Sequence, residues 1–124
     1  MSKLVDKEDI IMSEFNFNSK VCTDKNQSER LLALGLKKET ADCYWFYCDI
    51  AKEWKCTILS STQVFKDYPT TVIPAWSLHR LIEMVAHTQY PYYVISKELP
   101  IYDALCERIE WLIKEGYFNK EYLV

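Results

Sequence analysis

The stretch Tyr44-Trp45-Phe46-Tyr47-Cys48-Asp49-Ile50 decides the fold, because it is rich in strand formers while the other well-marked segments of the chain read as helices. Aromatic and β-branched side chains suit a pleated surface and lose rotamer freedom in a helix. Alternation puts Tyr44, Phe46, Cys48 and Ile50 on one side and Trp45 and Tyr47 on the other. Both faces are apolar, which predicts a central strand or one whose second face is covered. A short link leads to Trp54-Lys55-Cys56-Thr57-Ile58, whose apolar residues alternate with Lys55 and Thr57, giving a strand with one wet face. The short link favours an antiparallel hairpin, although it lacks the usual Gly or Asn. Tyr92-Tyr93-Val94-Ile95 reads as a third strand, with Pro91 at its start or on an edge.

Around these strands the helices are punctuated clearly. Asp24 (or Thr23) caps the first, and Gln27 stands at capping-box spacing from Asp24. Leu31, Leu32 and Leu34 supply its apolar face, and Gly35 is its left-handed stop. Glu39-Thr40-Ala41 reads as a turn or a single helical turn. Ser60 to Thr71 reads as a polar loop containing Pro69. Pro74 either opens the next helix or turns the chain ahead of a Ser77 cap. Leu78, Leu81, Ile82 and Val85 then form one helical stripe. The last helix runs from about Ile101 to Glu115. Leu105, Ile109 and Leu112 define its buried face, Tyr102, Cys106 and Ile113 its flank, and Gly116 its end. Asn119 caps one more turn, Lys120 to Leu123. Residues 1–20 read as an N-terminal arm or an edge strand, with Phe15 and Phe17 as its docking rings, and 21–124 as a single α+β domain. The predicted fold is a small antiparallel sheet of about three strands with three main helices packed on it.

Composition narrows the function. A chain of 124 residues, 49% hydrophobic and 27% charged, suits one soluble globular domain. A net charge of −3 lacks the basic footprint of a nucleic-acid binder. The pairs Lys37-Lys38 and Lys52/Lys55 read as solvated surface. The acidic residues Asp6, Glu8 and Asp9 break any signal-peptide pattern, and the apolar run Cys43 to Cys48 is too short to span a bilayer. The five cysteines contain no CxxC pair, so the chain reads as cytoplasmic with reduced thiols. Both glycines are committed to helix ends, which leaves little to wrap a phosphate.

The chemistry-bearing groupings are weak. His79, Glu83 and His87 share a helical face, but the two histidines are about 12 Å apart along the axis, too far for one ion. Cys43 and Cys48 point to opposite strand faces. Cys48 and Cys56 are candidates to meet across the hairpin. No GxSxG surrounds Ser60, Ser61 or any other serine. Glu110 and Lys114 form a favourable i, i+4 pair. Catalytic, cofactor and metal residues are therefore predicted as none. The remaining signal is an aromatic content of 15%. Trp45, Tyr47, Tyr90, Tyr92, Tyr117, Phe118 and Tyr122 form the candidate interaction surface, with a sheet covered on both sides as the competing explanation.

Three segments together resemble a known group: Gln27-Ser28-Glu29-Arg30-Leu31-Leu32-Ala33-Leu34-Gly35 with Thr40-Ala41-Asp42, Pro74-Ala75-Trp76-Ser77-Leu78, and Tyr102-Asp103-Ala104 running to Trp111 through Tyr117. The order is similar to small proteins of gut Bacteroidales genomes, often found near phage or other mobile elements. The resemblance implies a bacterial or phage-encoded single-domain cytoplasmic protein and carries no activity, cofactor or catalytic residue. The expected function is a non-enzymatic interaction module that self-associates or binds a protein partner, with no membrane and no nucleic acid. The alternative is a small hydrolase or transferase using Cys or His, and a third option, nucleic-acid binding, requires Lys37, Lys38, Lys52 and Lys55 to gather on one face.

Overall fold

The first helix begins where Asp24 and Gln27 satisfy each other, in a computed structural model that describes residues 20–88 and 98–124. The Gln27 N–H donates to Asp24 Oδ1 at 2.7 Å, and the Asp24 N–H donates to Gln27 Oε1 at 3.0 Å. Two backbone donors that the helix cannot pair are thereby satisfied. Helix α1 spans Lys25–Ala33 and buries Leu31. Gly35 ends it at φ +103°, with the Gly35 N–H on Leu32 O and the Leu36 N–H on Leu31 O. Gly116 repeats this at the far end of the chain, at φ +77°, with its own N–H on Ile113 O and the Tyr117 N–H on Leu112 O. These are two Schellman closures, and the backbone angle explains why each holds the residue without a Cβ.

After a 3₁₀ turn at Lys38–Thr40 come strands β1 (Cys43–Cys48) and β2 (Glu53–Ile58), paired antiparallel with Tyr47 opposite Trp54. The strand ends two residues earlier than its composition suggests. Asp49 and Ile50 lie in the turn, Ile50 is 96% exposed, and Lys52 takes the positive φ of 59° that a Gly or Asn would ordinarily supply. Strand β3 is Ile73–Ala75, antiparallel to β1, giving the order β2-β1-β3 with β1 central. Pro74 thus neither opens a helix nor makes a turn. It sits in a short edge strand, the position in a sheet where a missing N–H is tolerated. The strand expected at Tyr92–Ile95 and the arm at residues 1–20 (all but its last residue) lie outside the described residues.

Between the hairpin and β3 the expected polar loop contains a short helix, α2 (Gln63–Asp67), which exists to bury Phe65. Helix α3 (Leu78–Ala86) starts at Ser77, whose Oγ accepts from the Arg80 N–H at 3.1 Å. Its buried residues are Leu81, Met84 and Val85. Ile82 is 40% exposed, so the stripe is rotated toward Met84 relative to the periodicity reading. Helix α4 (Ile101–Lys114) buries Tyr102, Ala104, Leu105, Cys106, Ile109 and Leu112. A last 3₁₀ turn, Lys120–Tyr122, is capped by Asn119.

The main core joins α1, α3 and α4 around Leu31, Trp76, Leu81, Leu105, Ile109 and Phe118, with Tyr44 packed against it from the sheet. Paired residues share a sheet face, so Cys43, Trp45 and Tyr47 line the other side with Cys56 and Ala75. That side is covered near its centre by the segment entering α1. Thr23 donates its N–H to Trp76 O at 2.9 Å and accepts on Oγ1 from the Trp76 N–H at 3.1 Å. Its carbonyl accepts from Trp45 Nε1 at 2.8 Å. The second apolar face of β1 is therefore real, and a neighbouring chain segment conceals part of it.

Leu105 is fully buried, so Leu105→Ala is expected to cost about 2–5 kcal/mol in urea unfolding, against about 1 kcal/mol or less for Ile82→Ala. Glu110 accepts from Arg30 Nη2 at 2.6 Å and from Lys114 Nζ at 3.0 Å, and these partners, Arg30 first, hold its carboxyl below the ordinary 4.5. A depressed folded-state value makes this stabilisation complete above the ordinary value and lost as pH falls through the lowered one. Glu110→Gln is expected to remove that part of the acid sensitivity in unfolding curves taken below about pH 5.

Candidate functional site

The described aromatic residues occupy different settings. Tyr47 is 45% exposed and meets Trp54, itself 38% exposed, edge-on at 5.8 Å between ring centroids. They are held together because they are directly opposite in the β1–β2 register. Lys25 Nζ lies 4.4 Å from the Trp54 ring centroid, a cation–π contact that fixes the indole from the α1 side. Ile50 and Ile58, 96% and 72% exposed, lie in the turn and at the far end of β2. The result is an apolar hairpin on an edge strand with no described strand along its outer side.

The other predicted rings do not join this surface as a set. Trp45 shares the face of Tyr47 but is half-buried, with its indole N–H committed to Thr23 O. Phe118 is 1% exposed and belongs to the main core, so its inclusion in the surface is corrected. The Schellman closure at Gly116 turns it inward, where it meets Tyr122 at 5.9 Å. Tyr122 is half-buried against the same core. Tyr117, 38% exposed, stacks obliquely on Trp111 at 5.8 Å beyond the end of α4. Tyr90 and Tyr92 lie outside the described residues. Trp54, Ile50 and Ile58 were absent from the predicted surface. The signal for Trp54 and Ile58 is their place in the alternation of β2, and that for Ile50 is its place next to the short link.

The cysteines are arranged differently from the sequence reading. Cys48 is opposite Glu53 and lies on the sheet face away from Cys56, so the two do not meet. Cys43 and Cys56 are diagonal neighbours on one face, because Cys43 pairs with Ile58 and Trp45 with Cys56. Cys22 reaches the same place from the segment above. The three sulfurs lie within 4.8 Å of one another, and Cys22 and Cys56 are joined as a disulfide. The expectation of five reduced thiols is therefore not met in this structure. Cys22 is 34 residues from Cys56, and no spacing motif announces the approach.

The thiol electrostatics are those of buried groups. Burial first, and then Asp42, push the Cys43 thiol up to about 11. Burial also takes Cys106 up to about 11. Such thiols are scarcely ionised at neutral pH, the reverse of an activated nucleophile. The histidines stand elsewhere. His79 is on the exposed side of α3, 3.9 Å from Glu83. His87 leaves helical geometry at the end of α3 and lines a cleft of about 310 Å³ with Glu39, Arg80, Glu83 and Tyr122. Two further clefts, of about 560 and 240 Å³, lie beside Tyr102 and beside Ser60–Thr62. None of these three clefts is lined by a cysteine. The Ser61 hydroxyl serves structure, since its Oγ accepts from the Gln63 N–H at 3.2 Å where α2 begins.

Asp42 and Arg80 complete a polar frame around the start of α3. Asp42 accepts from the Ser77 N–H at 2.8 Å and from the Ser77 hydroxyl, while Arg80 Nη1 donates to Thr40 O at 2.7 Å. The Lys37-Lys38 pair lies at the 3₁₀ turn, whereas Lys52 and Lys55 lie on the hairpin. No helix among the described residues is long and apolar enough to cross a membrane. No protein family, curated protein or solved structure matches the chain.

The sulfur arrangement makes a chemical count decisive. Alkylation of the denatured, unreduced protein is expected to label three cysteines, Cys43, Cys48 and Cys106, and prior reduction is expected to raise this to five by intact mass.

Proposed function

We propose that the protein is a non-enzymatic interaction module that pairs with a second copy of itself, or with a protein partner of similar edge chemistry, through the β1–β2 hairpin. The observation that carries this reading is the exposed Tyr47–Trp54 pair on an edge strand, flanked by Ile50 and Ile58. Exposed aromatics on an edge that no described strand pairs are a template for strand addition.

The charges on β2 favour self-pairing in one register. When two copies of β2 run antiparallel with Trp54 opposite Trp54, Glu53 of each copy faces Lys55 of the other. Opposite charges across a strand pair stabilise that register, and a one-residue slip loses both pairs. Within one chain Lys55 Nζ already lies 3.6 Å from Glu53, so both side chains have the reach.

The thiol environments support a binding role over nucleophilic catalysis, because ionisation of Cys43 and Cys106 is suppressed. The setting proposed for such a module is the bacterial cytoplasm, as an accessory factor of a phage or mobile element. That setting rests on the three resembling segments alone.

Light scattering across a concentration series is expected to show a reversible dimer, with Trp54→Ala shifting it to monomer while the circular dichroism spectrum stays that of the wild type. A wild-type chain that stays monomeric at the highest concentration and pairs with no added partner would remove self-association.

A further inference from the structure

The three-cysteine cluster has a geometry that packing alone does not require. We propose that, when its thiols are reduced, the protein binds one soft monovalent cation of the Cu(I) type between the Sγ atoms of Cys22, Cys43 and Cys56.

The three sulfurs are close enough to share one ion once the bonded pair opens. Sulfurs placed around a metal at about 2.3 Å are about 4 Å apart in a trigonal arrangement. The three Sγ atoms lie within 4.8 Å of one another, and those of Cys22 and Cys56, bonded here, part on reduction to take up that spacing. The Cα atoms of Cys22 and Cys56 are 7.2 Å apart, wider than the span of about 4.4–6.8 Å usual for a disulfide and wide enough for two thiolates with an ion between them. The donor set is all sulfur, and among the described residues no His, Asp or Glu joins the group. Soft thiolates select soft cations, and three donors favour Cu(I) over Zn(II), whose structural sites take four.

The ligands are also held firmly. Cys43 is in the central strand and Cys56 in its neighbour. Cys22 is fixed through Thr23, whose N–H and carbonyl are both committed, to Trp76 and Trp45. Cys22 and Cys43 are buried while Cys56 is half-buried, so an ion has a path in from the Cys56 side. A thiol as buried as Cys43 is a poor attacking group for disulfide exchange, whereas a thiophilic ion displaces its proton on binding. Opening the Cys22–Cys56 bond takes two electrons and two protons. A water-soluble phosphine supplies the electrons and becomes its oxide with the oxygen of one water, leaving two thiols. Metal capture then releases one proton from each of the three thiols to solvent, so binding tightens as pH rises.

The test is an anaerobic competition of the full chain, reduced and freed of phosphine, against a chromophoric Cu(I) chelator. One Cu(I) per chain is expected to be withdrawn from the chelator. Losing a direct ligand exceeds the 10–100-fold cost of losing an outer-shell partner, so Cys43→Ser and Cys56→Ser are each expected to weaken binding by about 100-fold or more. Cys48→Ser and Cys106→Ser are expected to leave it within about two-fold, since neither residue belongs to the cluster. Cys56 is the half-buried position, and its Ser variant with a wild-type circular dichroism spectrum keeps the test independent of folding. No withdrawal of Cu(I), an equal loss in Cys48→Ser, or retention of Zn(II) in preference to Cu(I) would overturn the proposal.

Discussion

Thr23 and Trp76 hold the structure at the point where its layers meet. Trp76 is completely buried between β3 and α3, and its backbone N–H and carbonyl are both bonded to Thr23. Its indole N–H reaches Thr40 Oγ1 at 2.9 Å. Thr23 in turn carries the Trp45 indole on its carbonyl and the Ser28 hydroxyl at 2.7 Å on its own. A fully buried threonine is tolerated because every polar group it brings is paired. One clasp thus fixes the entrance to α1 against the sheet, the sheet against α3, and the 3₁₀ turn against both.

This clasp gives the sheet two unlike faces. One face is continuous with the helical core through Tyr44. The other is shallow, closed at its centre by Cys22 and Thr23, and opens outward to Tyr47 and Trp54. The thiol cluster and the aromatic hairpin are two parts of the same shallow face. The arrangement places the sulfurs beneath the segment entering α1 and leaves the aromatic pair at the exposed rim.

Much of the helical frame was legible because helix ends are written in local chemistry. Asp24 with Gln27, Ser77, Gly35 and Gly116 each perform the role their residue type prescribes, and Asn119 caps its turn. The central position of β1 was legible for a similar reason, since Trp45 and Tyr47 made its second face apolar. Elsewhere local rules pointed elsewhere. Pro74 carries a helix-start signal, yet sheet pairing with Tyr44 decides its place. Ile82 fits the helical period, but α3 turns Met84 into the core instead. Phe65 is the one apolar ring of a mostly polar stretch, and the short helix there carries it into the core. The site was less legible than the fold. Cys22 joins Cys43 and Cys56 only through tertiary approach, and the exposure of Trp54 and Ile58 depends on β2 being an edge.

Helix α1 has a consequence for biosynthesis. Its polar side bonds to Asp103 through Gln27 at a separation of 76 residues, and to Glu110 through Arg30 at a separation of 80. The ribosome releases α1 well before α4. Leu31 therefore has no finished cavity to enter until α4 has left the exit tunnel, and α1 must wait for a distant partner before it can pack.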